Sequence, residues 1–214
     1  MPIVTFALGP LETNCYLLHD TTQAVAVDVG GDPADMLDFL RERGLMLTHI
    51  LITHQHFDHL YGVAALQQAT GAQTLAPAAD DCLRASSVGR GGQWGLPLVP
   101  DFAAEPLPLG EQRFGAFAMQ VLETPGHTPG SVSLYVQEEK AVFTGDALFY
   151  RSVGRTDFPG GDAAQLIRSI RTRLFTLPED TRVFPGHGPE TRVGDERAGN
   201  PYCGDFAMPG AAGA

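Results

Sequence analysis

Residues 53–59 read Thr53-His54-Gln55-His56-Phe57-Asp58-His59, which packs three imidazoles and a carboxylate into six positions. Packing alone gives no reason for such a density of metal-binding groups, because buried polar side chains cost desolvation energy unless each is partnered. The preceding run, Met46-Leu47-Thr48-His49-Ile50-Leu51-Ile52, is apolar and β-branched and predicts a buried strand. The cluster therefore sits where a strand ends, the usual starting point of an active-site loop.

A chain of 214 residues with 43% hydrophobic content has enough apolar material for a core of its own. Fourteen basic residues face twenty-five acidic ones, for a net charge of −11, which argues against a nucleic-acid partner. No basic run precedes an apolar N-terminal core, and no run approaches the roughly 18 apolar residues of a membrane span. The expectation is a cytoplasmic protein with no membrane partner. Cys15, Cys82 and Cys203 are odd in number and far apart, so neither a disulfide framework nor a CxxC metal site is indicated.

Short runs at 3–8, 14–19 and 24–29 predict an antiparallel meander. Asp32-Pro33 is the start signal of a helix that carries Met36, Leu37 and Leu40 on one face and stops near Gly44. A helix over 60–70 and a strand over 73–76 follow. Residues 86–110 are rich in Gly and Pro around Trp94 and predict a long irregular connection, the kind that serves as a lid or binding loop. Further strands are predicted over 116–123, 131–137, 141–144 and 182–184. Asp162 and Gln165 predict a capping box for a helix running to Leu174, with Leu166, Ile167 and Ile170 inward. Strand meanders interrupted by helices indicate sheets covered by helices on their outer faces.

Three more punctuation points carry metal-binding groups: His127 in Thr124-Pro125-Gly126-His127, Asp146 in Thr144-Gly145-Asp146, and His187 in Pro185-Gly186-His187-Gly188. Each follows a predicted strand beside Gly or Pro, where the backbone can turn sharply. With these residues the chain resembles the metallo-β-lactamase superfamily, whose five motifs match Asp28, the His54–His59 cluster, His127, Asp146 and His187 in order. The resemblance runs from residue 14 to about residue 202. It implies an α/β fold, a four-layer αββα sandwich with the metal site at one edge of the sheets. It also implies a single domain over 1–206, with 207–214 as a flexible tail.

Within the superfamily, Val153-Gly154-Arg155-Thr156-Asp157, Pro185-Gly186-His187-Gly188-Pro189 and Glu196-Arg197-Ala198-Gly199-Asn200-Pro201-Tyr202 are similar to a short bacterial branch of the glyoxalase II-type (hydroxyacylglutathione hydrolase-like) thioester hydrolases. Two-domain glyoxalase II enzymes add a C-terminal helical domain that helps hold glutathione, and almost nothing follows residue 202 here. By position, the resemblance implies two divalent metals, zinc first, with iron or a mixed iron–zinc pair as alternatives. One metal would take His54, His56 and His127, the other Asp58, His59 and His187, with Asp146 bridging. Imidazole and carboxylate ligands suit Zn²⁺ and leave positions open for water. Two metals roughly 3.5–4 Å apart can share a hydroxide whose pKa falls to about 7. That hydroxide would attack a thioester such as S-lactoylglutathione while a metal polarises the carbonyl oxygen. A thiolate with a pKa of about 8.5 leaves without a dedicated general acid.

Asp28, at the strand-ending position of Ala26-Val27-Asp28-Val29, is the candidate to orient a ligand, with a turn-capping Asp as the plain alternative. Arg155 and Asp157 are candidates to brace the Asp146 loop or meet substrate. Tyr150 and Arg151 are candidates to meet a substrate carboxylate, a solvated loop being the plainer reading. Phe57 and Trp94 are candidates to line a pocket, core packing being the commoner role of an aromatic. His19 and His49 belong to no motif. Persulfide dioxygenases share the fold and hold one Fe(II) on residues matching His54, His127 and Asp146, so an oxygenase is the alternative function. A lactonase or a non-catalytic metal-binding protein ranks below it.

Overall fold

The computed structural model describes residues 1–93 and 95–207. Trp94, and the expected tail from residue 208 onward, lie outside the described residues. The strands are β1 (Ile3–Leu8), β2 (Thr13–His19), β3 (Gln23–Val27), β4 (Met46–Leu51), β5 (Gln73–Ala76), β6 (Glu105–Pro106) and β7 (Gly110–Phe114). They continue as β8 (Phe117–Glu123), β9 (Val132–Val136), β10 (Ala141–Gly145), β11 (Leu148–Phe149), β12 (Ser152–Val153), β13 (Arg182–Pro185) and β14 (Thr191–Arg192). The helices are α1 (Ala34–Arg43), α2 (Val63–Thr70), α3 (Ser87–Arg90), α4 (Ala163–Ser169) and α5 (Val193–Gly199). Two compact units divide the chain, residues 1–108 with 112–118, and residues 109–111 with 119–214.

In the first unit, six strands neighbour one another in the order β1-β2-β3-β4-β5-β6. β1 to β3 form the predicted antiparallel meander, and β3 to β6 run parallel through crossovers that contain α1 and α2. Parallel strands covered by helices must bury both faces, which accounts for the apolar run of β3 after Gln23 and for the buried Ile50 and Leu51 that end β4. Leu17, Ala26, Ile50 and Ile52 pack with Met36 and Leu40 of α1 and Val63 and Leu66 of α2 in one core. Leu37 is only partly buried against it. Helix α1 begins one residue later than the Asp32-Pro33 signal suggests: Asp32 Oδ1 accepts from Ala34 N at 3.1 Å, and Gly44 closes the helix in the left-handed conformation.

The helix expected over 60–70 is cut short. A 3₁₀ turn covers Phe57–His59, and α2 starts only at Val63. Gly62 explains the break, because its N–H donates to Val29 O at 2.8 Å and a β-carbon there would stand 1.9 Å from Gly31 O. The stretch over 86–110 is also more ordered than expected. It contains α3, a bridge between Gly91 and Leu98, β6, and the first residue of β7.

In the second unit the strands are ordered β14-β13-β10-β9-β8. β10 pairs parallel to β13 and antiparallel to β9. Tyr135, Val142 and Val183 pack with Leu166, Ile170 and Leu174 in a separate core. The helix expected to reach Leu174 is α-helical to Ser169 and then widens into a π-turn, closed by Phe175 N to Ile170 O at 2.9 Å. Ile167, expected inward, is only partly buried. Asp162 caps α4 as predicted, accepting from Gln165 N at 2.8 Å. Replacing Asp162 with Ala should lower stability by about 1 kcal/mol, measured by urea denaturation, with the denaturant slope unchanged.

Candidate metal centre

In the first unit the cluster is organised around Asp28. This residue follows β3 in a left-handed conformation, φ 54°, which is unusual for a side chain other than glycine and concentrates at functional positions. The turn aims a 2%-exposed carboxylate at three donors. Oδ1 accepts from Thr53 N at 2.8 Å, while Oδ2 accepts from Thr53 Oγ1 at 2.7 Å and pairs with His59 Nδ1 at 2.9 Å. A carboxylate only accepts, so the His59 ring proton sits on Nδ1 and Nε2 keeps its lone pair. Since the Thr53 hydroxyl spends its hydrogen on Asp28, its oxygen receives His54 Nδ1 at 3.1 Å. One carboxylate thus sets the tautomer of two histidines, directly for His59 and through Thr53 for His54.

The ligating atoms of His54 and His56, of His54 and His59, and of Asp58 and His59 each lie within 4.8 Å of one another. All four residues are buried. His59 Nε2 stands 3.6 Å from Asp58 Oδ2, and Thr13 Oγ1 donates to that same oxygen at 3.4 Å. Gln55, between the two histidines, anchors the loop: its N–H donates to Asp80 Oδ2 at 3.0 Å, and its Nε2 to Pro77 O and Asp81 Oδ1 at 2.9 Å each. Phe57 is buried, with its ring centroid 5.7 Å from that of Tyr61.

In the second unit, His127, Asp146 and His187 follow β8, β10 and β13. Gly186 N donates to Gly145 O at 2.8 Å, which keeps the ends of β10 and β13 side by side. Asp146 Oδ2 lies 3.6 Å from His127 Nε2 and 3.7 Å from His187 Nε2. Two atoms that each bond a tetrahedral ion at about 2.0–2.1 Å lie roughly 3.3–3.5 Å apart. One carboxylate oxygen facing two imidazole nitrogens at slightly more than that separation has the spacing of metal ligands. The His127 ring is fixed by Nδ1 donating to Arg155 O at 2.7 Å. Gly154 is required here, because a β-carbon would stand 1.8 Å from Asp146 O.

Arg155 and Asp157 pair with each other. Arg155 Nε and Nη2 donate to the two Asp157 oxygens at 2.7 Å each, and the guanidinium lies 3.8 Å over the Phe158 ring. The Arg155 guanidinium brings the Asp157 carboxyl down to about 2. This pair braces the backbone that receives His127. Tyr150 is 53% exposed at the tip of the β11–β12 hairpin. Arg151 has a left-handed backbone, φ 52°, and its N–H donates to Glu196 Oε2 at 2.9 Å. Glu196 is fully buried, and it also accepts from Thr191 Oγ1 at 2.7 Å and Asn200 Nδ2 at 2.9 Å. In the sequence Glu196 and Asn200 stand only in a family-like closing segment; in the fold they hold the hairpin that follows Asp146. Thr53, Thr13 and Asp80 were missed. Thr13 and Thr53 carry only the signal of a polar side chain at a strand boundary, and Asp80 lies in the 3₁₀ turn Ala78–Leu83 with no local signal of its partner.

The chain belongs to the metallo-β-lactamase superfamily, whose family model matches residues 8–187, and it has that fold. It is 34% identical over 207 residues to hydroxyacylglutathione hydrolase GloC of Haemophilus influenzae, covering 94% of this chain and 98% of that protein. Among solved structures, TTHA1623 in a di-iron-bound form matches with a TM-score of 0.85 and 40% identity, over 93% of this chain and 99% of that one. The B3 metallo-β-lactamase BLEG-1 matches with a TM-score of 0.82 and 36% identity, over 94% and 99%. These likenesses, with the His/Asp sets above, support a metal-dependent hydrolase with a dinuclear metal site. Among the described residues no helix is long and apolar enough to cross a membrane.

Substituting Asp28 with Asn keeps a residue that tolerates the left-handed backbone but removes the charge behind His59 and Thr53. Metal affinity should fall roughly 10–100-fold, read by competition with a chromogenic chelator. Burial pushes the Cys15 thiol far above its usual range, and burial likewise pushes Cys203 up to about 12, whereas Cys82 is exposed. A thiol reagent at about pH 8 should therefore titrate one cysteine in the native protein and all three after denaturation.

Proposed function

We propose that the chain is a thioester hydrolase of the hydroxyacylglutathione hydrolase type, acting on S-lactoylglutathione or a related acyl thioester in the cytoplasm. The observation that carries this reading is the single Asp146 oxygen facing both His127 and His187. By the family's motif positions, His54, His56 and His127 would hold one ion and Asp58, His59 and His187 the other, with Asp146 as their common ligand. Zinc is the proposed metal because the donor set is imidazole and carboxylate, which Zn²⁺ accepts in a tetrahedral site.

Such a pair supplies, when bound, a nucleophile derived from water at neutral pH and a Lewis acid for the scissile carbonyl. The chain's own residues supply orientation. Asp28 and Thr53 hold the protons of His59 and His54 on Nδ1, and Arg155 O does the same for His127, so three Nε2 lone pairs are held ready without rearrangement. Asp58 is steadied by Thr13. A thiolate is a good leaving group at neutral pH, which agrees with a site whose carboxylates serve as ligands or their supports rather than as an acid–base pair. The net charge of −11 favours a small-molecule substrate over nucleic acid. The relationship to the GloC hydrolase supports glutathione as the thiol carrier.

Metal quantification on protein purified without added metal, paired with a substrate panel, tests the reading. Two metal equivalents and turnover of S-lactoylglutathione well above that of acyl-homoserine lactones and a cephalosporin are expected. One iron with sulfite released from glutathione persulfide would replace the hydrolase with a dioxygenase. Asp146→Ala should lower kcat/KM by roughly 10²–10⁴, because metal polarisation supplies several kcal/mol and about 1.4 kcal/mol is tenfold.

A further inference from the structure

The peptide between His54 and His56 is gripped by residues that belong to no ligand motif. Residues 54–56 lie in neither a helix nor a strand, so no ladder fixes their backbone. The His54 and His56 rings meet edge to face with centroids 4.8 Å apart, while Gln55 between them reaches to the 3₁₀ turn Ala78–Leu83 and the proline before it. Because β4 and β5 run parallel, the segments that follow them leave the sheet at the same end, which puts this turn beside the cluster.

The grip has a charged part and a neutral part. Asp80 is 0% exposed, and its Oδ2 accepts from Gln55 N at 3.0 Å. Gln55 is buried as completely, and its Nε2 donates to Pro77 O and Asp81 Oδ1 at 2.9 Å each. Its Oε1 is left buried with no hydrogen bond among the described residues. Burying a carboxylate, or a carbonyl without a donor, opposes folding. Packing alone calls for neither group. A metal centre does gain from them, because its affinity depends on ligands held in place by the residues behind them.

We propose that Asp80 is a positioning residue of the metal centre, acting through the Gln55 peptide on His54 and His56. By holding that N–H it fixes the direction of the two imidazoles on either side, as Asp28 fixes His59 by meeting the ring itself. Its reach ends at this pair, since Asp58 and His59 are held by Thr13, Asp28 and the turn Phe57–His59. Asp80 therefore sets the affinity for the ion assigned to His54 and His56 and leaves the ion assigned to Asp58 and His59 unchanged. The proposal rests on the two-ion assignment above and is independent of the substrate.

Titration of the metal-free full chain with Zn²⁺ against a chromogenic chelator tests it, with His56→Ala marking which binding step belongs to His54 and His56. Asp80→Ala should weaken that step roughly 10–100-fold and leave the other where it was. Asp80→Asn, which keeps an acceptor for the Gln55 N–H, should recover most of the loss. Asp81→Ala, at an exposed position, removes one bond of the Gln55 side chain and should weaken the same step roughly threefold to tenfold, the scale of one hydrogen bond. Should the melting curve show that Asp80→Ala does not fold, Asp81→Ala decides the matter alone. Equal losses at both steps, an unchanged step for His54 and His56, or an Asn variant as weak as the Ala variant overturns the proposal. A wild type that binds a single ion defeats the two-ion assignment instead, and the proposal then stands or falls on whether Asp80→Ala or Asp81→Ala weakens that ion.

Discussion

The carboxylate of Asp28 is the interaction on which the first half of the centre depends. Its two oxygens take the Thr53 N–H, the Thr53 hydroxyl and the His59 ring. These contacts tie the end of β3 to the end of β4 and to the 3₁₀ turn carrying Asp58 and His59. Three imidazoles set close together do not arrange themselves, because each ring has two nitrogens and the wrong one can carry the proton. Asp28 removes that ambiguity for two of them, and the left-handed backbone at residue 28 is the local strain it carries.

The second unit solves the same problem differently. His127 is fixed by a backbone carbonyl, that of Arg155, and the carbonyl is in turn steadied by the Arg155–Asp157 pair. A peptide oxygen only accepts, so the His127 proton is held on Nδ1 as Asp28 holds that of His59. Within each unit a packed hydrophobic cluster lies among the elements that carry its donors. Sites mounted on rigid elements hold their geometry better than sites on free loops.

Much of this was legible in the sequence because the informative residues are chemically unusual where they stand. His54, His56, Asp58 and His59 were visible as a cluster, and His127, Asp146 and His187 as lone polar groups at Gly- or Pro-flanked strand ends. The longer strands were legible from β-branched runs, and Asp162 from its cap pattern. The two-residue strands β11, β12 and β14 are shorter than any periodicity can register, and β7 and α5 lacked a clear apolar pattern. The break at 60–62 depends on Gly62 meeting Gly31, a contact between segments that no local signal encodes. Thr53 and Asp80 escaped for a related reason, since what makes them matter is the partner each meets, Asp28 for one and Gln55 for the other.

Glu196 shows what such partnering means for the motions of the chain. Its buried carboxylate is held by Thr191, Asn200 and the Arg151 N–H, none of them a charged side chain, so its charge is compensated only while all three donors stay in place. Asn200 Nδ2 also reaches Ser152 O at 3.0 Å. Opening the β11–β12 hairpin would therefore strand a charge beneath α5, and fraying α5 would strand the same charge beneath the hairpin. The hairpin and α5 thus share one buried partner, which ties the segment after Asp146 to a helix that contributes no ligand.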